Sequence, residues 1–251
     1  MNTIFDKIYV VSLITNKDRQ EFIKYQFDEL GLDFEFIYGT NFKDIKYDYF
    51  GNEIKYPWTF NYGSNLVSSY GCAISHYNAV AQAYYLGYNN VLILEDDVCF
   101  LKERTLIEYY LNNIPKGADF VSWDPRFFNK DEYKIVLNKI KKSKNYYIIL
   151  KKNIITLLGG MMYGIMNRDI MQLYLNNQYK KFKLSDHIDG IYEAPILVKR
   201  YISSKCICTD QHNIENNFNA NLHYECIYKE IDDKLTTDLF YKPNIYFSFS
   251  R

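Results

Sequence analysis

An unbroken apolar run, Val91-Leu92-Ile93-Leu94, ends directly in three carboxylates, Glu95-Asp96-Asp97. A run without polar alternation has no solvent face, so it reads as a strand covered on both sides. Such strands belong to α/β folds in which a mostly parallel, Rossmann-like sheet carries helices on both faces. Ligands in those folds bind beyond the carboxyl ends of the strands. The three acids stand at such an end.

The remainder of the chain fits the same architecture. Residues 7–13 form a β-branched apolar run, and Asn16 stands where a side chain can cap a helix over 17–30. In that helix Phe22, Ile23, Phe27 and Leu30 share a face, and Gly31 ends it. Residues 34–38 read as a second strand. Residues 39–66 are polar and aromatic, a long loop or short hairpin of the kind that is often functional. Ser69-Tyr70-Gly71-Cys72-Ala73-Ile74-Ser75-His76 opens a helix whose inner face is Ala73, Tyr77, Val80, Ala81 and Tyr84, with Gly87 at its end. Beyond the acids, a helix is predicted over 101–111 and a strand over 119–123. Residues 130–144 form a basic surface excursion. Strands over 146–150 and 162–166 follow, then helices over 168–175 and 186–192. The last forty or so residues carry no clear periodicity. No internal repeat or linker divides the chain, so one domain over 1–251 is expected.

Composition narrows the function. The 30 basic and 30 acidic side chains cancel, which argues against nucleic acid as the partner, since phosphate neutralisation needs a basic excess. The 26 Tyr and 17 Phe exclude a disordered chain. The first apolar run is too short for a signal peptide core, and no stretch nears the roughly 18 apolar residues that span a bilayer. Cys72, Cys99, Cys206, Cys208 and Cys226 are odd in number and irregularly spaced, unlike a disulfide framework. A cytoplasmic protein without a transmembrane segment is expected, with peripheral membrane contact left open.

Three adjacent carboxylates repel one another unless a cation or hydrogen-bond donors compensate. Hard divalent ions such as Mn²⁺ or Mg²⁺ prefer such oxygens and commonly bridge the phosphates of a nucleotide diphosphate. The plainer alternative is that Asp96 or Asp97 caps the next helix. The triplet by itself leaves both open.

Two motifs in order, Gly71-Cys72-Ala73-Ile74-Ser75-His76 and Val91-Leu92-Ile93-Leu94-Glu95-Asp96-Asp97-Val98, with Ala79 and Gly87-Tyr88 between them, resemble glycosyltransferase family 25. The family includes lipooligosaccharide galactosyltransferases and those that modify collagen hydroxylysine. The opening strand followed by Asn16-Lys17-Asp18-Arg19 is similar to the family's start, residues 160–166 to its small-residue strand, and Ser185-Asp186-His187 to its acidic motif. The segment 156–164 departs from the family in being richer in Gly and Met.

The resemblance implies a GT-A-like fold, a UDP-sugar donor and Mn²⁺ (or Mg²⁺). Residues 1–124 would form the nucleotide-sugar and metal half, and 125–251 the acceptor half. Asp97 would be the direct metal ligand, with Glu95 beside it. Glu95 and Asp96 would also reach the ribose or support the ligands from behind. Arg19, Ser75 and His76 would face the donor, the last two near a helix N-terminus whose backbone donors favour anions. Asp186, which best matches the acidic motif, would be the base that deprotonates the acceptor hydroxyl. Asp189, three residues on and on the same predicted helical face, is the substitute. Asp124 stands at another strand end. Of His187, His212 and His223, His212 is the choice to complete the metal shell, because it follows a strand-like run. The implied reaction moves a hexose, galactose or glucose, onto a glycan, lipid-linked glycan or protein hydroxyl with inversion. The alternative is a catalytically degenerate transferase that binds glycans or acts as a scaffold. Tyr47, Tyr49, Tyr56, Trp58 and Tyr62 in the long loop offer aromatic faces suited to a sugar.

Overall fold

The computed structural model describes residues 1–39, 65–123, 126–127, 138–149, 157–158, 162–181, 199–215, 234 and 236–243. Its centre is a seven-stranded sheet in the order β2-β1-β3-β9-β5-β10-β7. The strands are β1 (Lys7–Leu13), β2 (Glu35–Gly39), β3 (Val91–Glu95), β5 (Phe120–Ser122), β7 (Tyr146–Ile149), β9 (Met162–Ile165) and β10 (Arg200–Ser203). Strands β2, β1, β3, β5 and β10 share one direction, whereas β9 and β7 run against it. The sheet is mixed but mostly parallel, as the apolar run of β3 requires. Strand β9 lies between β3 and β5, so the two are not direct neighbours. Among the described residues two short pairs stand beside this sheet, β4 (Val98–Phe100) with β11 (Cys208–Asp210) and β6 (Arg126–Phe127) with β8 (Leu157–Leu158), together with an isolated bridge of Leu101 to Phe240.

Strand alternation sorts the apolar residues into two cores. From β1, Ile8 and Val10 face one side while Tyr9 and Val11 face the other; from β3, Leu92 and Leu94 oppose Val91 and Ile93. Helix α1 (Lys17–Leu30) covers the first side with Phe22, Ile23, Phe27 and Leu30, and α3 (Arg104–Asn112) adds Ile107, Tyr110 and Leu111. Helix α2 (Asn65–Tyr85) covers the second with Ala79, Val80 and Ala83, and α4 (Arg168–Lys181) with Met171 and Leu175. Helix α1 ends as its sequence foretells: Gly31 takes the left-handed conformation at φ 63°, and its N–H donates to the Asp28 and Phe27 carbonyls.

Three local expectations are corrected. Asn16 makes no side-chain cap to α1. Its amide donates instead to the Asp96 carboxylate at 3.0 Å, because a charged acceptor outcompetes a helix N–H. Helix α2 begins at Asn65, one turn before the expected Ser69, and Gly71 is buried within it. Ser75 and His76 therefore lie in the helix interior, where backbone N–H groups are already bonded and no anion-attracting end exists. The helix expected from residue 101 starts at Arg104, since the chain first forms β4 against a strand from the far end of the sequence.

Among the described residues no helix is long and apolar enough to cross a membrane.

Candidate active site at the carboxyl edge of the sheet

Parallel pairing of β1 and β3 in the register Val11 to Glu95 places their carboxyl ends side by side. The residues that follow, Ser12 to Arg19 on one side and Asp96-Asp97 on the other, therefore meet. Asp96 is buried at 5% exposure and fully engaged. Its Oδ2 accepts from Ser12 Oγ at 2.7 Å and Asn16 Nδ2 at 3.0 Å, and its Oδ1 from Arg19 Nη1 at 2.9 Å. Gln20 Nε2 braces the far side through Ser12 Oγ and the Leu13 carbonyl. Three donors to one carboxylate fix both the start of α1 and the β3–β4 turn.

Asp97 is in a different state. Its Oδ2 lies 3.6 Å from Arg19 Nη1, beyond a good hydrogen bond, and its Oδ1 is buried with no hydrogen-bond partner among the described residues. Burial, with the Glu95, Asp96 and Asp210 charges, pushes its carboxyl well above the usual range, and Arg19 offsets only part of this. The Asp97 carbonyl accepts the Gln211 N–H at 2.9 Å, which ties the turn to the start of α5 (Gln211–Glu215). Asp97 and Asp210, with Glu215 beyond them, also raise the thiol of buried Cys99 well above its usual value, after burial itself. The end of β3 thus gathers negative charge around a buried oxygen that has no hydrogen-bond partner among the described residues.

Glu95, last in β3, faces α2. Its Oε1 lies 3.5 Å from His76 Nε2 and accepts from Cys72 Sγ at 3.9 Å. His76 is wholly buried, and its Nδ1 is 2.8 Å from the Tyr163 hydroxyl. The His76 and Tyr163 rings stack with centroids 5.6 Å apart, so a β9 side chain sets the imidazole's orientation.

The sequence matches the profile described as Glycosyltransferase family 25 (LPS biosynthesis protein) over residues 5–172. That span is well over half of the chain and takes in every strand of the central sheet except β10. The chain belongs to glycosyltransferase family 25. No curated protein matches it closely enough to add a relative. As a family 25 member it is a glycosyltransferase, an enzyme that moves sugar from a donor to a glycan acceptor, in a family tied to lipopolysaccharide biosynthesis.

Within this family 25 chain the structure gathers Arg19, His76, Glu95, Asp96 and Asp97 at one sheet edge. The Arg19 guanidinium lies against Asp96 and Asp97. Ser75 is adjacent but engaged, its Oγ donating to the Gly71 carbonyl at 2.6 Å. A Cβ on Gly39 would stand 2.7 Å from that Oγ, so Ser75 and the end of β2 are packed as close as glycine allows. His212 lies in α5, next to the Gln211 whose N–H holds the Asp97 carbonyl. Asp186, Asp189, His187, Asp124, His223 and the aromatic loop residues Tyr47, Tyr49, Tyr56, Trp58 and Tyr62 lie outside the described residues.

Sequence reasoning missed Ser12, Asp210, Tyr163 and Cys72 as parts of this edge. Ser12 was within reach, since parallel β1 and β3 must end together. Asp210 was not, because it depends on β11 pairing with β4 in the register Asp210 to Val98.

Proposed function

We propose that this glycosyltransferase moves a hexose, galactose or glucose, from a UDP-sugar to a hydroxyl of a glycan acceptor, with a divalent cation, Mn²⁺ or Mg²⁺, and inversion at the anomeric carbon. The observation that carries the reading is Asp97 Oδ1, buried and, among the described residues, without a hydrogen-bond partner in an acidic pocket beyond the end of β3. Carboxylate oxygens of this kind fit a hard cation. Asp97 and Glu95 would hold it, with His212 carried by the helix that is bonded to the Asp97 backbone. Bound there, the ion would stabilise charge developing on the leaving diphosphate.

The chain's own residues supply the rest. Asp96, locked by Ser12, Asn16 and Arg19, holds the turn so that Asp97 keeps its direction. Arg19 neutralises part of the acidic charge and stands by for a phosphate or ribose oxygen. Asp186, or Asp189 in its place, takes the proton from the acceptor hydroxyl as that oxygen bonds the anomeric carbon. The bond from that carbon to the diphosphate breaks in the same step, and UDP leaves with its electron pair.

The test is incubation with a panel of UDP-sugars, Mn²⁺ and lipooligosaccharide-type acceptors, with calorimetry for UDP binding. Metal-dependent transfer or donor hydrolysis with a UDP-hexose is expected. UDP that neither binds nor turns over for any common sugar would overturn the reading.

A further inference from the structure

Cys72 and His76 stand one helical turn apart on α2, on the face turned to the end of β3. Opposite them is Glu95. One ligand atom from each, a thiol sulfur, an imidazole nitrogen and a carboxylate oxygen, lies within 4.8 Å of the other two. A tetrahedral zinc ion with bonds of about 2.0–2.3 Å sets its ligands about 3.3–3.8 Å apart. The observed separations from Glu95 Oε1 are 3.5 Å to His76 Nε2 and 3.9 Å to Cys72 Sγ. Closing on an ion therefore takes only small side-chain movements.

A second observation points to a ligand. His76 is 0% exposed, and its Nε2 is buried with no hydrogen-bond partner among the described residues, aimed at Glu95 Oε1. Its other nitrogen is held by the Tyr163 hydroxyl at 2.8 Å. With that nitrogen carrying the proton, Nε2 turns a lone pair toward a carboxylate oxygen, and a cation between them would convert the repulsion into coordination. A metal-bound histidine usually has its second nitrogen fixed in this way by a neighbouring polar group. The Glu95 side chain is 33% exposed, which leaves an entry path from solvent.

We propose that Cys72, His76 and Glu95 form a site for a thiophilic divalent ion of the Zn²⁺ class, distinct in chemistry from the hard cation proposed at Asp97. Thiolate and imidazole select zinc or cobalt over manganese, magnesium and calcium. Three protein ligands leave a fourth position for water or another group. Glu95 is common to both proposed sites, so an ion on Cys72 and His76 withdraws it from the donor side. Zinc would then inhibit the transferase, but the site itself stands without that reading.

The experiment is titration of the full chain with Co²⁺ as a spectroscopic stand-in for Zn²⁺. One equivalent should give a thiolate-to-cobalt charge-transfer band in the near ultraviolet, displaced by Zn²⁺. Cys72→Ser should remove the band, while a variant with Cys99, Cys206, Cys208 and Cys226 all changed to Ser should keep it. Tyr163→Phe should retain the band but weaken zinc binding about 10–100-fold, since it frees the second nitrogen without removing a ligand. Zn²⁺ should raise the melting temperature of the wild type and not of Cys72→Ser, which keeps the readout valid if the four-cysteine variant fails to fold. A band that survives Cys72→Ser, or no band and no zinc-dependent melting shift in the wild type, would overturn the proposal whatever the transferase assay shows.

Discussion

Asp96 and Asp97 are neighbours in sequence and opposites in circumstance. Among the described residues Asp96 has three donors, whereas Asp97 has an oxygen with none. A carboxyl whose folded pKa lies above its unfolded value binds its proton more tightly when folded. Its contribution to stability is complete at low pH and fades as pH rises above the ordinary carboxylate range. Without a divalent ion, Asp97→Asn should therefore melt higher than the wild type, by a margin that grows from pH 4 to pH 8. In the transferase assay the same variant should lose about 10²–10³-fold in metal-dependent rate. A gain in melting temperature without loss of rate would move the catalytic ion elsewhere. Arg19→Met should act oppositely on stability, lowering it by about 1–3 kcal/mol in urea unfolding, because it strips Asp96 of its charged donor. At this scale the sequence disclosed the acids and Arg19, since their type and strand-end position are local facts. It hid the difference between Asp96 and Asp97, which is made by Ser12 and Asn16 from the β1–α1 stretch and by Asp210 from β11.

Elements were legible in proportion to how local their causes are. Helix α1 matched its expected bounds because an amphipathic stripe and a terminal glycine determine it. Helix α2 starts a turn before the expected Ser69, and it runs through the buried Gly71 because packing overrides that residue's weak helix preference. Strand β4 was invisible, as three residues pair only when β11 arrives. Strand β9 was found from its apolar run, but Gly164 inside it has a purpose that only packing reveals. A Cβ there would stand 2.9 Å from Phe5 Cε1 and 3.3 Å from a Trp123 ring carbon. Gly164→Ala should destabilise the protein by about 1–3 kcal/mol, read from the urea midpoint. An unchanged midpoint would mean that Phe5 yields without cost.

For the whole molecule, the abundance of tyrosine sets its behaviour in base. Burial, then the Glu35 and Tyr88 charges, pushes the Tyr9 phenol up to about 12. Burial also raises Tyr146 and Tyr174 far above the usual value. These phenols stay protonated in the fold while the unfolded chain ionises near pH 10, so their stabilising effect is complete below pH 10 and is lost above it. Melting temperature should hold up to that point and then fall, with a fraction of tyrosinate absorbance appearing only at unfolding. Tyrosines that all ionise together at pH 10 in a folded sample would contradict this. The α/β class and the mostly parallel sheet were legible from β3 alone, whereas the strand order was not.

That order has a consequence for how the protein is made. As the chain leaves the ribosome, β3 and β5 emerge early, yet neither can pair with the other. The strand that joins them, β9, is synthesised only after the whole segment that follows β5. Until then the apolar edge of Val91–Glu95 stands open, a template for any other extended chain. Nascent protein stalled between Trp123 and Met162 should accordingly engage chaperones, and expression in a cell depleted of them should send it into aggregates before folding rather than after.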